Sequence, residues 1–179
     1  IVEAATALFL SVRYDALTLE DVARRADVSL PTVLRNFGSK DALLLACSQG
    51  RTAREIETRA VEPGDVRGIA RVLCARYEVL SVAWRSIIVL EDRSPAVAEA
   101  VRTARAGHQA WLVEAFAPWL PAREGPRRKR RLAALFGATE FYVWWTWRTH
   151  LGLDPRDAEL TMAETLSALL DTFAAEKEK

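Results

Sequence analysis

Hydrogen-bonding side chains are concentrated on what the sequence predicts to be a short helix near residue 33. Thr32, Arg35 and Asn36 would lie on its outward face, and each can bond to base edges or to phosphate oxygens. We predict that Ser29 caps this helix and that Phe37 anchors its end in the core. The pattern indicates a DNA-reading helix, although three solvated helices of any small bundle would show the same caps and faces.

Neighbouring helices must hold the predicted DNA-reading helix in place. Helical spacing of apolar residues predicts a first helix over residues 2–12, and Thr18 is a suitable cap for a second. Gly38 ends the third helix, after which a fourth runs from Lys40 to about Ala60. Three short helices joined by tight turns are typical of a helix-turn-helix, in which the second helix of the motif enters the major groove.

The remainder of the chain also shows helical periodicity, so the predicted fold is all-α. We expect a three-helix DNA-binding domain over residues 1–46 and a larger helical domain for ligand binding and dimerisation over residues 47–179. In the larger domain, helices are predicted over residues 65–90 with an interruption near Ser81, 95–116, 127–150 and 155–175.

Composition narrows the possible functions. Lys and Arg number 25 against 24 Asp and Glu, a net charge of +1, so DNA binding must come from placed charges rather than from an overall field. No apolar run is long enough for a membrane span. Cys47 and Cys74 lack the spacing of a zinc or redox motif, which predicts buried free thiols in a cytoplasmic protein. Because the chain begins at Ile1, we expect a segment before it.

An enzyme is the main alternative from another class. The two histidines are isolated and no Glu-x-x-His pattern is present, which argues against a metal centre. No glycine-rich loop follows a strand to hold a phosphate group. We therefore expect neither a cofactor nor a metal, and no catalytic activity.

The run from Ile1 to Ala46 resembles the N-terminal domain of TetR-type repressors, and the match is continuous. The residues that carry it are Ala4-Ala5, Leu8-Phe9, Tyr14 to Thr18, Val22-Ala23, Ala26 to Ser29, Thr32 to Phe37 and Ser39 to Leu43. The resemblance implies a dimeric repressor that binds a palindromic DNA operator and is released by a small apolar or aromatic effector.

The resemblance also implies which residues contact DNA. It places Thr18 and Lys40 on phosphates and turns Thr32 and Arg35 toward the groove. The full predicted set is Thr18, Ser29, Leu30, Thr32, Arg35, Asn36 and Lys40.

The chain departs from the family at several of these positions. Leu30 and Pro31 stand where a basic residue and Gly are frequent, and Asn36 replaces a common His. Leu34 replaces a Tyr that usually reaches a phosphate, so one contact to the DNA backbone is lost. These departures leave open a third possibility, a TetR-like protein that binds ligands or partners but no operator.

Six tryptophans lie in the larger domain, and such rings usually fill a core. Successive helical residues are turned by about a quarter circle, so Trp144, Trp145 and Trp147 cannot all share one face. The family holds its effector between the middle helices, and we expect there an apolar, aromatic-lined cavity. Its candidate wall is Tyr77, Trp84, His108, Trp111, Phe141 and Trp145.

The last two helices are predicted to pair with those of a second copy in a four-helix bundle. The candidate interface is Met162, Leu166, Leu169, Leu170 and Phe173, although this stripe can instead fill the core of its own subunit. The basic run 127–131 is expected to be a solvated helix end, paired with nearby acids, rather than a DNA contact.

Overall fold

The computed structural model describes residues 1–48 and 60–176, and every regular element within these ranges is helical. The predicted all-α fold is therefore confirmed. The helices are α1 Val2–Ser11, α2 Leu19–Arg25, α3 Leu30–Phe37, α4 over residues 40–48, α5 Val66–Ile88, α6 Pro95–Ala115, α7 Pro126–Ala138, α8 Phe141–Trp145 and α9 Pro155–Ala175. The predicted end of α4 near Ala60 lies outside the described residues.

Two compact units divide the chain. The first unit comprises Ile1–Thr58 and Val79–Gly107, and the second comprises Arg59–Glu78 and His108–Lys179. The predicted functional boundary after residue 46 stays a prediction, because these units group the chain by packing. Packing joins the N-terminal helices to part of α6, whose Val97 and Val101 share their hydrophobic cluster.

Local signals fix the three N-terminal helices in place. Thr18 caps α2 in a reciprocal capping box with Asp21, and Ser29 caps α3 by accepting the N–H of Thr32, so both predicted caps are confirmed. Between them, Asp27 takes the left-handed conformation with φ of 53°, which turns the chain sharply from α2 into α3. Val33, which has no exposed surface, packs α3 against the hydrophobic cluster of the first unit.

The second unit has its own core, built from fully buried side chains of α5, α6, α7 and α9. Leu73, Leu112, Leu135, Met162 and Leu166 are among these side chains, together with Phe116, the largest of them, which follows α6. Both cysteines are buried free thiols, as predicted, with Cys47 in the first unit and Cys74 in the second.

Two helix predictions in the larger domain are wrong. The single helix expected over residues 127–150 breaks after Ala138, and α8 continues as a π-helical turn, Thr146–His150. The break follows from capping: the Thr139 hydroxyl donates to the Leu135 carbonyl at 2.8 Å, and the Glu140 carboxylate accepts the Tyr142 N–H at 2.7 Å. The interruption expected near Ser81 does not occur, since α5 runs without a break to Ile88.

Candidate DNA-binding surface and ligand sites

Helix α3 is held by one face and presents the other to solvent. Val33 is buried, whereas Arg35 and Asn36 are exposed and Thr32 is half-buried. Leu34, on the same outer surface, is 41% exposed. The structure thus brings the predicted reading residues of α3 together on one accessible surface.

Two polar groups of α3 are already engaged by their own helix. The Asn36 amide donates to the Thr32 carbonyl at 2.7 Å, and the Thr32 hydroxyl lies 2.9 Å from that of Ser29. Pairing with adenine requires both the oxygen and the nitrogen of an Asn amide. Asn36 must therefore leave its helix bond before it can read a base in that way, whereas Arg35 is exposed as it stands.

Lys40 is half-buried against the turn between α1 and α2. Its ammonium donates to the carbonyls of Tyr14 at 2.8 Å and Leu17 at 2.9 Å, and it lies 4.4 Å from the centre of the Tyr14 ring. An ammonium has three donors, so these two bonds leave one for a phosphate. The predicted phosphate contact is therefore also a tie that holds the turn.

Thr18 is exposed at the start of α2, with its hydroxyl turned to Asp21. That hydroxyl donates to the Asp21 carboxylate at 2.7 Å and accepts the Asp21 N–H at 3.2 Å. The bonds from Thr18, together with Arg24 nearby, hold the pKa of Asp21 below its ordinary value. A phosphate would have to compete with this carboxylate for the Thr18 hydroxyl, since both are anions.

A hydrogen-bond network that the sequence analysis missed joins α4 to α6 and to the turn after α1. The Tyr14 hydroxyl donates to the Asp41 carboxylate, and the Ser94 hydroxyl donates to it at 2.7 Å. These bonds lower the pKa of Asp41, while burial and the neighbouring carboxylate raise that of Tyr14. Ser94 was recognisable as the cap of α6, but nothing in the sequence indicates that its partner is 53 residues away.

The geometry of α2, its sharp turn and α3 is that of a DNA-reading helix-turn-helix. Residues 1–47 match the family model described as bacterial regulatory proteins, tetR family. Residues 1–47 are a DNA-binding domain of the TetR type, with the helix-turn-helix that the sequence indicated.

The similarity to solved structures extends over nearly the whole length of the chain. A protein from Mesorhizobium loti assigned to the TetR-family transcriptional regulators shares 21% identity, with a TM-score of 0.70 over 96% of this chain and 93% of its own. A transcriptional regulator from Rhodococcus sp. RHA1 shares 19% identity, with a TM-score of 0.68 over 96% of both chains. Both likenesses concern the fold. Among curated proteins, none matches the chain.

The six aromatic residues predicted to line an effector pocket are divided between the two units, and the pocket itself stays a prediction. Trp84 belongs to the first unit, whereas the other five belong to the second. There, Tyr77 contacts Phe141 at 5.5 Å between ring centres, and its hydroxyl donates to the Thr139 carbonyl at 2.5 Å. His108 stacks on Trp111 at 6.0 Å. These contacts are those of a packed core.

The neighbouring tryptophans of α8 and the turn after it lie in different surroundings. Trp144, left out of the predicted pocket, is buried and lies 5.6 Å from both Tyr77 and Phe141. Trp145 is half-buried beside Tyr142 and His150. Trp147 is also half-buried, so the three neighbouring indoles indeed face different surroundings, as helical spacing requires.

A cavity of about 60 Å³ lies wholly within the first unit, among α1, α4, α5 and α6. We call it the head cavity. Its floor is apolar and buried, and consists of Phe9, Leu44, Cys47, Leu80, Ala100 and Val101, among others. Trp84 is the one predicted pocket residue that lines it.

Most of the apolar residues of α9 that were predicted to form a dimer interface are buried within their own subunit. Met162, Leu166, Leu170 and Phe173 are buried in the second unit, and only Leu169 of the five keeps partial exposure. Side chains with so little exposed surface cannot supply much area to a partner. A dimer interface on α9 must therefore draw on other residues, and dimerisation itself stays a prediction.

The basic run at the start of α7 is partly paired and partly buried. Arg127 and Arg128 form ion pairs with Glu176 and Glu124, as expected of a solvated helix end. Arg131, in contrast, is only 3% exposed and donates to the carbonyls of Trp119 and Phe173 and to the Glu176 carboxylate. The prediction of a solvated run is thus wrong for Arg131, which fastens the end of α9.

The ranges 1–48 and 60–176 contain neither a metal-binding cluster nor a membrane-spanning helix. Within them, no three His, Cys, Asp or Glu side chains come close enough together to hold a metal ion. No helix in the same ranges has the length and apolar character needed to cross a bilayer.

Proposed function

We propose that this TetR-family regulator is a repressor that binds a palindromic operator as a dimer and is released by a small apolar or aromatic effector. The observation that carries the proposal is the exposed outer surface of α3, with Arg35 and Asn36 accessible and Val33 buried beneath them. A helix held in this way can lay its outer face in the major groove without unfolding any part of the core. Regulators of this kind are not enzymes, and no cofactor is proposed.

The predicted contact residues divide by role. Arg35, Thr32 and Asn36 would read base edges, while Thr18 and Lys40 would position the chain on phosphates. Ser29 contributes as the cap that orients the first turn of α3, and Leu30 as an apolar contact at its start. Two-fold symmetry follows if each subunit reads one half of a palindrome.

A regulator-like chain without operator binding is the second candidate, favoured by the exposed Leu34. Leucine at 41% exposure cannot donate to a phosphate, so the outer face of α3 has one anchor fewer. This candidate predicts only weak binding that is independent of sequence and is abolished by salt.

A gel shift with the DNA upstream of the chain's own gene separates the two candidates. Retention of a defined complex against excess unrelated DNA at physiological salt supports the repressor. Equal binding to both DNAs, or none to either, would favour the chain that has lost its operator.

The repressor proposal makes a further demand on the effector. A ligand shifts a conformational equilibrium only by binding its two states with different affinity. Addition of the effector should therefore dissociate the operator complex, and a ligand that strengthens the complex would make the chain a co-repressed or activating regulator instead.

A further inference from the structure

The head cavity has walls that belong to the DNA-reading part of the molecule. Phe9 of α1 and Leu44 and Cys47 of α4 line it, and the same helix α4 begins at Lys40 and Asp41. Leu80 of α5 closes it from another side. A molecule in this cavity would therefore touch α1 and α4 directly.

The chemistry of the walls selects an apolar occupant. None of the lining residues within the described ranges 1–48 and 60–176 is charged. The two hydroxyls at its edge are turned to the backbone, with Thr6 donating to the Val2 carbonyl and Ser48 donating to the Leu45 carbonyl, each at 2.8 Å. A mostly apolar cavity whose edge hydroxyls are already bonded favours apolar molecules over polar ones.

The size of the cavity limits which apolar group can enter. A volume of about 60 Å³ is well below the roughly 150 Å³ of a protein cavity known to accept benzene. A linear hydrocarbon chain is narrower than a ring, and its remaining length can pass the half-buried residues of the edge, Thr6, Ser48 and Ala104. The dimensions thus favour the end of an alkyl chain over an aromatic ring.

We propose that the head cavity binds the end of an alkyl chain and that this contact is where an apolar effector acts on the DNA-reading helices. The second part rests on the proposed function. Chain insertion holds α4 away from α1 and α6, and the position of α4 determines where Lys40 and Asp41 sit beside the turn after α1. The effector signal then needs no relay through the aromatic core of the second unit.

Octanol is a suitable probe, because it is an uncharged linear alkyl chain. Methyl NMR of the full chain should show saturable shifts at Leu44 and Ile87, both of which line the cavity. Ala104→Leu fills the edge of the cavity and should weaken octanol binding by about tenfold or more, which is at least about 1.4 kcal/mol. Ala106→Leu, on the same helix but exposed, should leave it unchanged.

Unshifted Leu44 and Ile87 signals at saturating octanol, or equal affinity of Ala104→Leu and the parent chain, would overturn the site. Ala104→Val, a smaller filling, serves if the leucine variant melts early. Operator binding measured on the same samples separates the two proposals. Intact operator binding without octanol binding removes only the cavity site, whereas octanol binding to a chain that reads no operator removes only the repressor function.

Discussion

The guanidinium of Arg35 and the ammonium of Lys40 lie in different surroundings, and this difference separates their roles. Arg35 is exposed on α3, where its planar set of donors can pair with the two acceptors of guanine. Lys40 is half-buried and bound to two carbonyls of a turn. Arg35 is thus placed for reading bases, and Lys40 for fixing the turn and touching the DNA backbone.

Replacement of Arg35 by Ala should weaken operator binding by about 1–3 kcal/mol and relax the preference for sequence, because a base-edge contact is lost. Fluorescence anisotropy with operator and scrambled duplexes at matched salt measures both effects. Arg102→Ala is the control, since Arg102 is an exposed arginine of α6 paired with Glu99. Equal binding of the Arg35 and Arg102 variants would show that α3 does not read the groove.

Replacement of Lys40 by Met should weaken binding to every DNA sequence and reduce the salt slope by about one, as expected for one lost phosphate contact. It should also lower the melting temperature, because the Tyr14 and Leu17 carbonyls lose their donor. Calorimetry and a salt titration separate the two losses. An unchanged slope in a folded variant would make Lys40 purely structural.

The sequence predicts some of these side-chain roles and not others, for a physical reason. The caps at Thr18 and Ser29 act on the chain within three residues, so their signal is local. The carbonyls bound by Lys40 lie 26 and 23 residues before it in the chain. Only the folded packing of α4 against the turn brings those groups together.

Helices α4 and α6 are joined through the carboxylate of Asp41, which makes this contact sensitive to acid. Tyr14 and Ser94 both donate to it from other elements. Helix periodicity predicted the start of α4 and the bounds of α6, since apolar positions repeat along each helix. It could not predict the break between α7 and α8, where the Thr139 and Glu140 side chains cap neighbouring backbone groups within an otherwise helical pattern.

The stability of the fold should fall in acid through Asp41. The pKa of Asp41 is lowered in the folded chain, first by the bond from Tyr14 and next by that from Ser94. The contribution of Asp41 to the free energy of unfolding is therefore fully present above the carboxyl pKa of the unfolded chain, about 3.9. It is lost as the pH falls through the lower pKa that Asp41 has in the folded chain. Asp41→Asn should flatten this dependence in urea unfolding measured across pH.

Asp92→Asn, an exposed carboxylate in the turn before α6, is the matched control and should retain the acid dependence. If the two variants and the parent chain lost stability in parallel below pH 4, the network at Asp41 would contribute nothing to folding free energy.

Assembly and ligand response belong to the chain as a whole, and here sequence patterns are least informative. A stripe of apolar residues has the same sequence pattern whether it faces a partner subunit or the core of its own subunit. Most of the stripe on α9 is buried in its own subunit. The tryptophan-rich composition predicts a pocket, but it could not predict which rings pack against one another, as Tyr77, Phe141 and Trp144 do in the second unit. The head cavity had no distinct sequence signal, because its lining residues come from four helices.

A charge at Leu169 should shift the proposed dimer toward monomer, because Leu169 keeps partial exposure on α9. Sedimentation velocity at micromolar concentration measures this for Leu169→Glu. Leu166→Glu is the contrasting variant, and since Leu166 is fully buried it should unfold the chain. A parent chain that sediments as a monomer would remove the basis for palindromic reading.

The anchoring of α9 by Arg131 has a consequence for how the chain is degraded. Proteases cut unwound chain, and Arg131 binds the Phe173 carbonyl and the Glu176 carboxylate near the end of that helix. Limited proteolysis within the last turns of α9 should therefore be slow in the parent chain and faster in Arg131→Met, with the masses of the fragments reporting whether this buried arginine is engaged.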